Sequence, residues 1–162
     1  MGIDLYRIDD RLIHGQVVVG WGQPLNARFL VLVDDIVASS DWEKELYRMA
    51  VPPEMDIYFA DVPTAIRDHA RYSGDPRPGI LIAGDIASMA RLVNGVKAIG
   101  SVNLGGIHHR AGRTQKLRYV FLTPEEEQQL RDLEAHGVEV TAQDVPSAHV
   151  IPLADVLAGA YK

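Results

Sequence analysis

The sequence contains no cysteine, which removes disulfides, thiolate nucleophiles and cysteine metal sites together. It has no apolar run of transmembrane length; the longest, near Phe29 to Val33, is strand-sized. A Walker lysine loop, an HExxH zinc pair and a Gly-x-Ser-x-Gly elbow are all missing, and Gly20-Trp21-Gly22 lacks the third glycine of a dinucleotide fingerprint. No cofactor and no metal are therefore expected. Positive charge is also in short supply: 16 Lys and Arg stand against 22 Asp and Glu, a net charge of −6. A general nucleic-acid binder would normally be basic. Met1-Gly2-Ile3-Asp4 shows no basic region followed by an apolar core, so no signal peptide is read. The expectation is a cytoplasmic protein without direct membrane insertion.

What is present is ordinary globular composition, with 47% hydrophobic and 23% charged residues. A chain of 162 residues fits one domain, 1–162, with a proper core. Strand-like runs alternate with helix-like ones. Strands are expected at residues 3–8, 28–33, 55–59, 79–83, 99–104, 117–122 and 138–142. Helices are expected at about 15–23, after Ser39-Ser40-Asp41 to Met49, from Val62 to Tyr72, after Asp85 to Val93, from the Thr123-Pro124-Glu125-Glu126 start to His136, and near Leu153 to Leu157. This alternation predicts an α/β fold: an open, mostly parallel twisted sheet of about seven strands with helices on both faces. Ligands of such sheets sit beyond the carboxyl ends of the strands.

The segment Arg7-Ile-Asp-Asp-Arg-Leu-Ile-His-Gly-Gln-Val17 falls on that edge. His14 stands three residues after Arg11, where the first strand gives way to a helix start with its unpaired N–H groups and positive dipole end. A neutral imidazole is a nucleophile near pH 7, and phosphoryl transfer asks mainly for positioning and charge stabilisation. Arg11 offers bidentate donors to phosphate oxygens, and backbone N–H groups around Gly15, Gln16 and Val17 can cradle them. Asp9 or Asp10 can fix the ring tautomer, with Asp10 taken as the orienting residue. The competing reading is a helix-start histidine beside a surface ion pair of Asp10 and Arg11. Acid-free intervals surround His14 and run from Asp85 to Glu125, where Arg91, Lys97, Arg110, Arg113, Lys116 and Arg118 lie. The loop from Gly105-Gly106 through His108-His109-Arg110 to Arg113 is therefore a candidate phosphate or partner contact, in competition with a solvated loop. Adjacent histidines in extended chain point apart, which argues against a metal there. Asp34-Asp35 suits a hard cation but reads better as a pair of caps, and Trp21 reads as core.

The same segment resembles the active-site signature of the IIB component of the bacterial phosphotransferase system, mannose/fructose/sorbose family. The resemblance continues through Val33-Asp34-Asp35, Met49-Ala50-Val51-Pro52-Pro53, Asn103-Leu104-Gly105-Gly106, Val145-Pro146 and Ile151-Pro152-Leu153. It implies a phosphocarrier with phosphohistidine–sugar phosphotransferase activity. His14 would accept a phosphoryl group from a IIA phosphocarrier domain, on Nδ1 by that resemblance. The group would then pass to a sugar during uptake through IIC and IID membrane subunits. Arg11 matches the active-loop arginine, and Asp9 and Asp10 the acids before it. The run His108-His109-Arg110-Ala111-Gly112-Arg113 departs from the family pattern. No IIA domain precedes the segment, so a free-standing subunit is expected. A regulatory phosphorelay without a transporter, or a non-covalent phosphometabolite-binding module, fits the same residues.

Overall fold

The structure, a computed structural model, describes residues 2–159. Among the described residues nine strands and seven α-helices follow one another, and a π-helical turn, Gln16–Trp21, leads into the first helix. The strands are β1 (Gly2–Ile8), β2 (Phe29–Val33), β3 (Asp56–Ala60), β4 (Pro78–Ala83), β5 (Ser101–Leu104), β6 (Thr114–Leu117), β7 (Val120–Leu122), β8 (Glu139–Ala142) and β9 (Ile151–Pro152). The helices are α1 (Gly22–Leu25), α2 (Asp35–Ala38), α3 (Asp41–Ala50), α4 (Val62–Ser73), α5 (Ile86–Gly95), α6 (Pro124–Ala135) and α7 (Leu153–Ala158). The main sheet has seven strands in the order β3-β2-β4-β1-β5-β8-β9. All its pairings are parallel except β8–β9.

The central strands are apolar because both their faces are covered: all five residues of β2 are buried, as are Ile80 to Ala83 of β4. One face packs Val17, Val18 and Trp21 of the π-helical turn against Leu30, Leu32, Ile80 and Ile82. The other packs Val31, Leu81 and Leu104 against Ala65, Met89, Leu92, Leu130 and Val156 from α4 to α7. The α/β architecture with helices on both faces is thus the one read from the sequence, with corrections of detail. Residues 117–122 are not a single strand of the main sheet. They straddle a hairpin, β6–β7, that forms its own antiparallel pair, while β8 takes the place beside β5. The turn at Arg118-Tyr119 carries none of the Gly or Asn that marks tight hairpins. Two short elements, α2 and β9, were not expected. Asp34 and Asp35 are caps: Asp34 Oδ1 accepts from the Ile36 and Val37 N–H at 3.0 and 2.9 Å, and Asp35 accepts from Val62 N–H at 2.9 Å.

This order puts β1 between β4 and β5: the chain builds β2, β3 and β4 on one side of it and then crosses to β5 on the other. The carboxyl end of β1 is where the loop over residues 9–14 begins. Asp9 N–H donates to Ala83 O at 3.0 Å, Asp10 N–H to Gly106 O at 2.9 Å, and Gly105 N–H to Ile8 O at 2.8 Å. Three strand ends therefore hold one loop.

Candidate functional site

Arg7 is an arginine with no exposed surface. Strand parity places it on the face of Leu5, under the π-helical turn, where it lies over the Trp21 ring with its guanidinium carbon 5.2 Å from the centroid. Its donors reach Asn103 Oδ1, the carbonyls of Gln143 (2.9 Å) and Asp144 (3.1 Å), and Asp9 Oδ2 at 3.3 Å. Trp21 donates to the same Asp144 carbonyl at 3.0 Å. Burial pulls the guanidinium below its ordinary pKa, and Asp9 opposes that shift. Gly105 is what makes room: a β-carbon there would stand 2.3 Å from Arg7 Nη2. Gly105 is itself buried, so it supports the buried arginine and does not face a ligand, which corrects its sequence assignment.

Asp9 is equally inaccessible and stands between that arginine and the loop. Its Oδ2 contacts Arg7 and His14 Nε2, the latter at 3.1 Å. Its Oδ1 accepts from Arg11 N–H at 3.1 Å and lies 3.6 Å from Arg11 Nε. Burial pushes the carboxyl up, but the hydrogen bond to His14 and the charge of Arg7 together hold it below the ordinary carboxylate value. The side chain is therefore an ionised acceptor, and the hydrogen between it and His14 belongs to Nε2. In the neutral ring, Nδ1 then carries the lone pair, and among the described residues it has no hydrogen-bond partner. The orienting carboxylate is Asp9 rather than Asp10. Asp10 points to the other side, where Oδ2 accepts from His108 N–H and Oδ1 from His108 Nδ1, both at 2.7 Å.

His14 is 16% exposed and Arg11 44%. Arg11 Nη2 donates to Gln16 Oε1 at 2.6 Å, so Gln16 fixes the arginine that a phosphoryl group would meet. Val17 and Val18 N–H both donate to His14 O at 3.0 Å, which leaves the N–H groups of Gly15 and Gln16 ahead of the first intrahelical bond. The Val17 N–H is thus spent on the helix and is not part of a cradle. A β-carbon on the exposed Gly15 would meet nothing within 4 Å. Leu12 holds the bend of the loop at φ +60°, a left-handed conformation that costs a non-glycine residue about 1 kcal/mol, and its buried side chain packs next to Gly84.

The second loop, 105–113, closes over the other side. Gly106 borders the site: a β-carbon there would lie 3.6 Å from Asp9 Oδ1, 3.7 Å from Arg11 Nη2 and 3.2 Å from His108 Cε1. Ile107 is bonded both ways to the β6–β7 hairpin, through Tyr119 O and Phe121 N–H at 2.8 Å each. Arg113, expected to meet phosphate, is instead a clamp. It grips Glu126 through Nε (3.0 Å) and Nη2 (2.8 Å) and His108 O through Nη1 (2.8 Å), and it is nearly buried. Arg110 is exposed, and no hydrogen bond or ion pair of its side chain occurs among the described residues. Among those residues no cluster of three or more His, Asp or Glu is arranged to hold a metal. Cavities of 340, 230 and 180 Å³ open elsewhere, and His14 lines none of the three.

Sequence reasoning missed Arg7, Asn103 and the carbonyls of Gln143 and Asp144 as supports of the site. A charged residue at an inward position of a strand was the available signal for Arg7.

Residues 3–162 match the family described as PTS system sorbose subfamily IIB component. The mannose-specific EIIAB component of the phosphotransferase system of Escherichia coli (strain K12) is 33% identical over 159 residues, 97% of this chain and 49% of that protein. The chain thus spans about half the length of that relative. The sorbose-specific EIIB component of Lacticaseibacillus casei is 32% identical over 158 residues, 98% of this chain and 94% of that one. Among solved structures, the IIBSor domain of the sorbose permease from Klebsiella pneumoniae superposes with a TM-score of 0.87 at 29% identity, covering 98% of this chain and 97% of the other. The structure of manxB from Thermoanaerobacter tengcongensis gives the same TM-score and identity, over 96% and 95%.

Proposed function

The chain belongs to the sorbose-subfamily IIB components of the sugar phosphotransferase system, and on that footing we propose that His14 is its phosphoryl carrier. It takes the group at Nδ1 from a phosphohistidine on a IIA domain and passes it to a sugar at IIC and IID membrane subunits, working on the cytoplasmic side. No helix among the described residues is long and apolar enough to cross a membrane. The observation that carries the reading is the Asp9 carboxylate on His14 Nε2, 3.1 Å away, which leaves Nδ1 as the nucleophilic nitrogen. His14 sits at an open edge and outside the three cavities noted above, which suits a macromolecular donor better than a small substrate held in a pocket.

The chemistry follows from those contacts. The Nδ1 lone pair attacks phosphorus, and the Nδ1–P bond forms as the donor's N–P bond breaks. Nε2 keeps its hydrogen, so the phosphorylated ring is an imidazolium whose new charge appears beside Asp9. Arg11, held by Gln16 and Asp9, supplies donors to the phosphoryl oxygens, and the N–H groups of Gly15 and Gln16 add to them. On delivery the Nδ1–P bond breaks and Nδ1 recovers its lone pair. Incubation with labelled phosphoenolpyruvate, enzyme I, HPr and a IIA domain should label the wild type with an acid-labile, alkali-stable phosphoryl group and leave His14→Gln unlabelled. Equal label on the variant would move the carrier to another residue.

A further inference from the structure

His108 lies beside the site, and the transfer chemistry above does not use it. It is 55% exposed, yet it is held at three points. Its N–H and its Nδ1 both meet the Asp10 carboxylate at 2.7 Å, and its carbonyl accepts from Arg113 Nη1 at 2.8 Å. Arg113 is itself fixed by its two bonds to Glu126. An exposed side chain that served only solubility would not be ordered in this way, because ordering it has an entropic cost with no burial to offset it. The ionised Asp10 accepts from Nδ1, so the free corner of the ring is Nε2. The ring edge, through Cε1, lies beside Gly106, where a β-carbon would also meet Asp9 Oδ1 and Arg11 Nη2. Consecutive carboxylates thus orient two histidines in opposite senses: Asp9 takes Nε2 of His14, and Asp10 takes Nδ1 of His108.

We propose that His108 is a second phosphoryl-contacting side chain beside Arg11, its imidazolium donating Nε2–H to an oxygen of the phosphoryl group on His14. This rests on His14 being the carrier. His108 undergoes no bond change; in its protonated form it adds positive charge where the transition state spreads negative charge over the equatorial oxygens. Asp10 fixes the direction of the ring by accepting from Nδ1. The charged groups around the ring are Asp9, Asp10 and Arg11 from the loop after β1, Arg110 and Arg113 from its own loop, and Glu126 from α6 behind Arg113.

Asparagine and glutamine separate this role from a merely structural one. His108→Asn keeps a donor for Asp10 in the place of Nδ1 and loses the one at Nε2; His108→Gln does the reverse. The probe is phosphoramidate, a small phosphoryl donor that needs no partner protein, with intact-mass measurement of one added phosphoryl group over time. At pH 6 His108→Asn should accept the group on the order of tenfold more slowly than the wild type, the size of one charge-assisted hydrogen bond. His108→Gln should lie between them. Wild-type rates in His108→Asn with slow transfer in His108→Gln would make His108 an anchor for its loop and overturn the proposal. Equal slowing of both variants, with unchanged folding by circular dichroism, would overturn it too. Label retained in His14→Gln, or absent from the wild type, would instead strike the carrier assignment.

Discussion

At the scale of single residues the site is organised around a buried charge pair. Arg7 and Asp9 have no exposed surface, and their contact is 3.3 Å. Buried pairs add little net stability, but removing one partner strands the other. Arg7→Met should therefore lower unfolding stability by about 3–5 kcal/mol in urea titrations, and adding Asp9→Asn should return part of that loss. A double variant as unstable as the sum of its parts would mean that the two side chains do not depend on each other. Gly15 gives the contrasting case. Open space surrounds its would-be β-carbon, so Gly15→Ala should raise stability by roughly 0.5–1 kcal/mol through the helix start. With a IIA domain docking over His14 as proposed, the same methyl group would stand in its path, and transfer should slow while stability rises. Transfer at the wild-type rate would show that the partner approaches from another side.

Among the elements, the loop over 105–113 owes its shape to a clamp rather than to its own sequence. Arg113 and Glu126 join it to the first turn of α6, where Thr123 and Glu126 also form a reciprocal capping pair. Arg113→Met should cost about 1.5–3 kcal/mol, the range for hydrogen bonds to charged groups. It should also open the loop to limited proteolysis near Arg110; an unchanged cleavage pattern would show that the hairpin holds the loop unaided. This clamp was not legible in the sequence, because Arg113 and Glu126 are 13 residues apart and nothing local announces their meeting. The strand–helix alternation, the cap at Thr123 and the position of His14 at the sheet edge were legible, since each depends on periodicity or on adjacent residues. The β6–β7 hairpin was not, because an apolar run with Leu117, Val120 and Leu122 reads the same whether it joins the main sheet or folds beside it. The choice between Asp9 and Asp10 was beyond reach for a similar reason: adjacent carboxylates differ only in which way the strand's end turns them.

For the whole molecule, the buried ionisable groups define a window of pH. Burial lowers the pKa of His69, whose Nε2 shares a 2.6 Å hydrogen bond with Tyr6 Oη, and raises that of Tyr6 to about 12. Below the ordinary histidine value the unfolded chain binds a proton that the native state resists, so stability declines as pH falls from about 6.5. Asp9 and Glu126, both held below their ordinary values, contribute stability that is full above the carboxylate range and is lost as pH falls through their depressed native values. Above about pH 10 the unfolded chain ionises Tyr6 first, and stability falls again. Urea midpoints measured from pH 4 to 11 should form a plateau between these limits, and His69→Phe should flatten the decline that begins near 6.5. A wild-type midpoint constant from pH 7 to 5 would contradict the burial of a neutral His69. The position of β1 in the sheet has a further consequence, in time rather than in energy. Arg7 is paired in register with Ile82 on one side and Asn103 on the other, so the first strand synthesised has no neighbour until β4 and no second one until β5. A nascent chain ending before β5 lacks both Asn103 and the Gln143 and Asp144 carbonyls that seat Arg7. The segment bearing His14 leaves the ribosome early and acquires its working shape late, so truncated products carry the signature residues without the site.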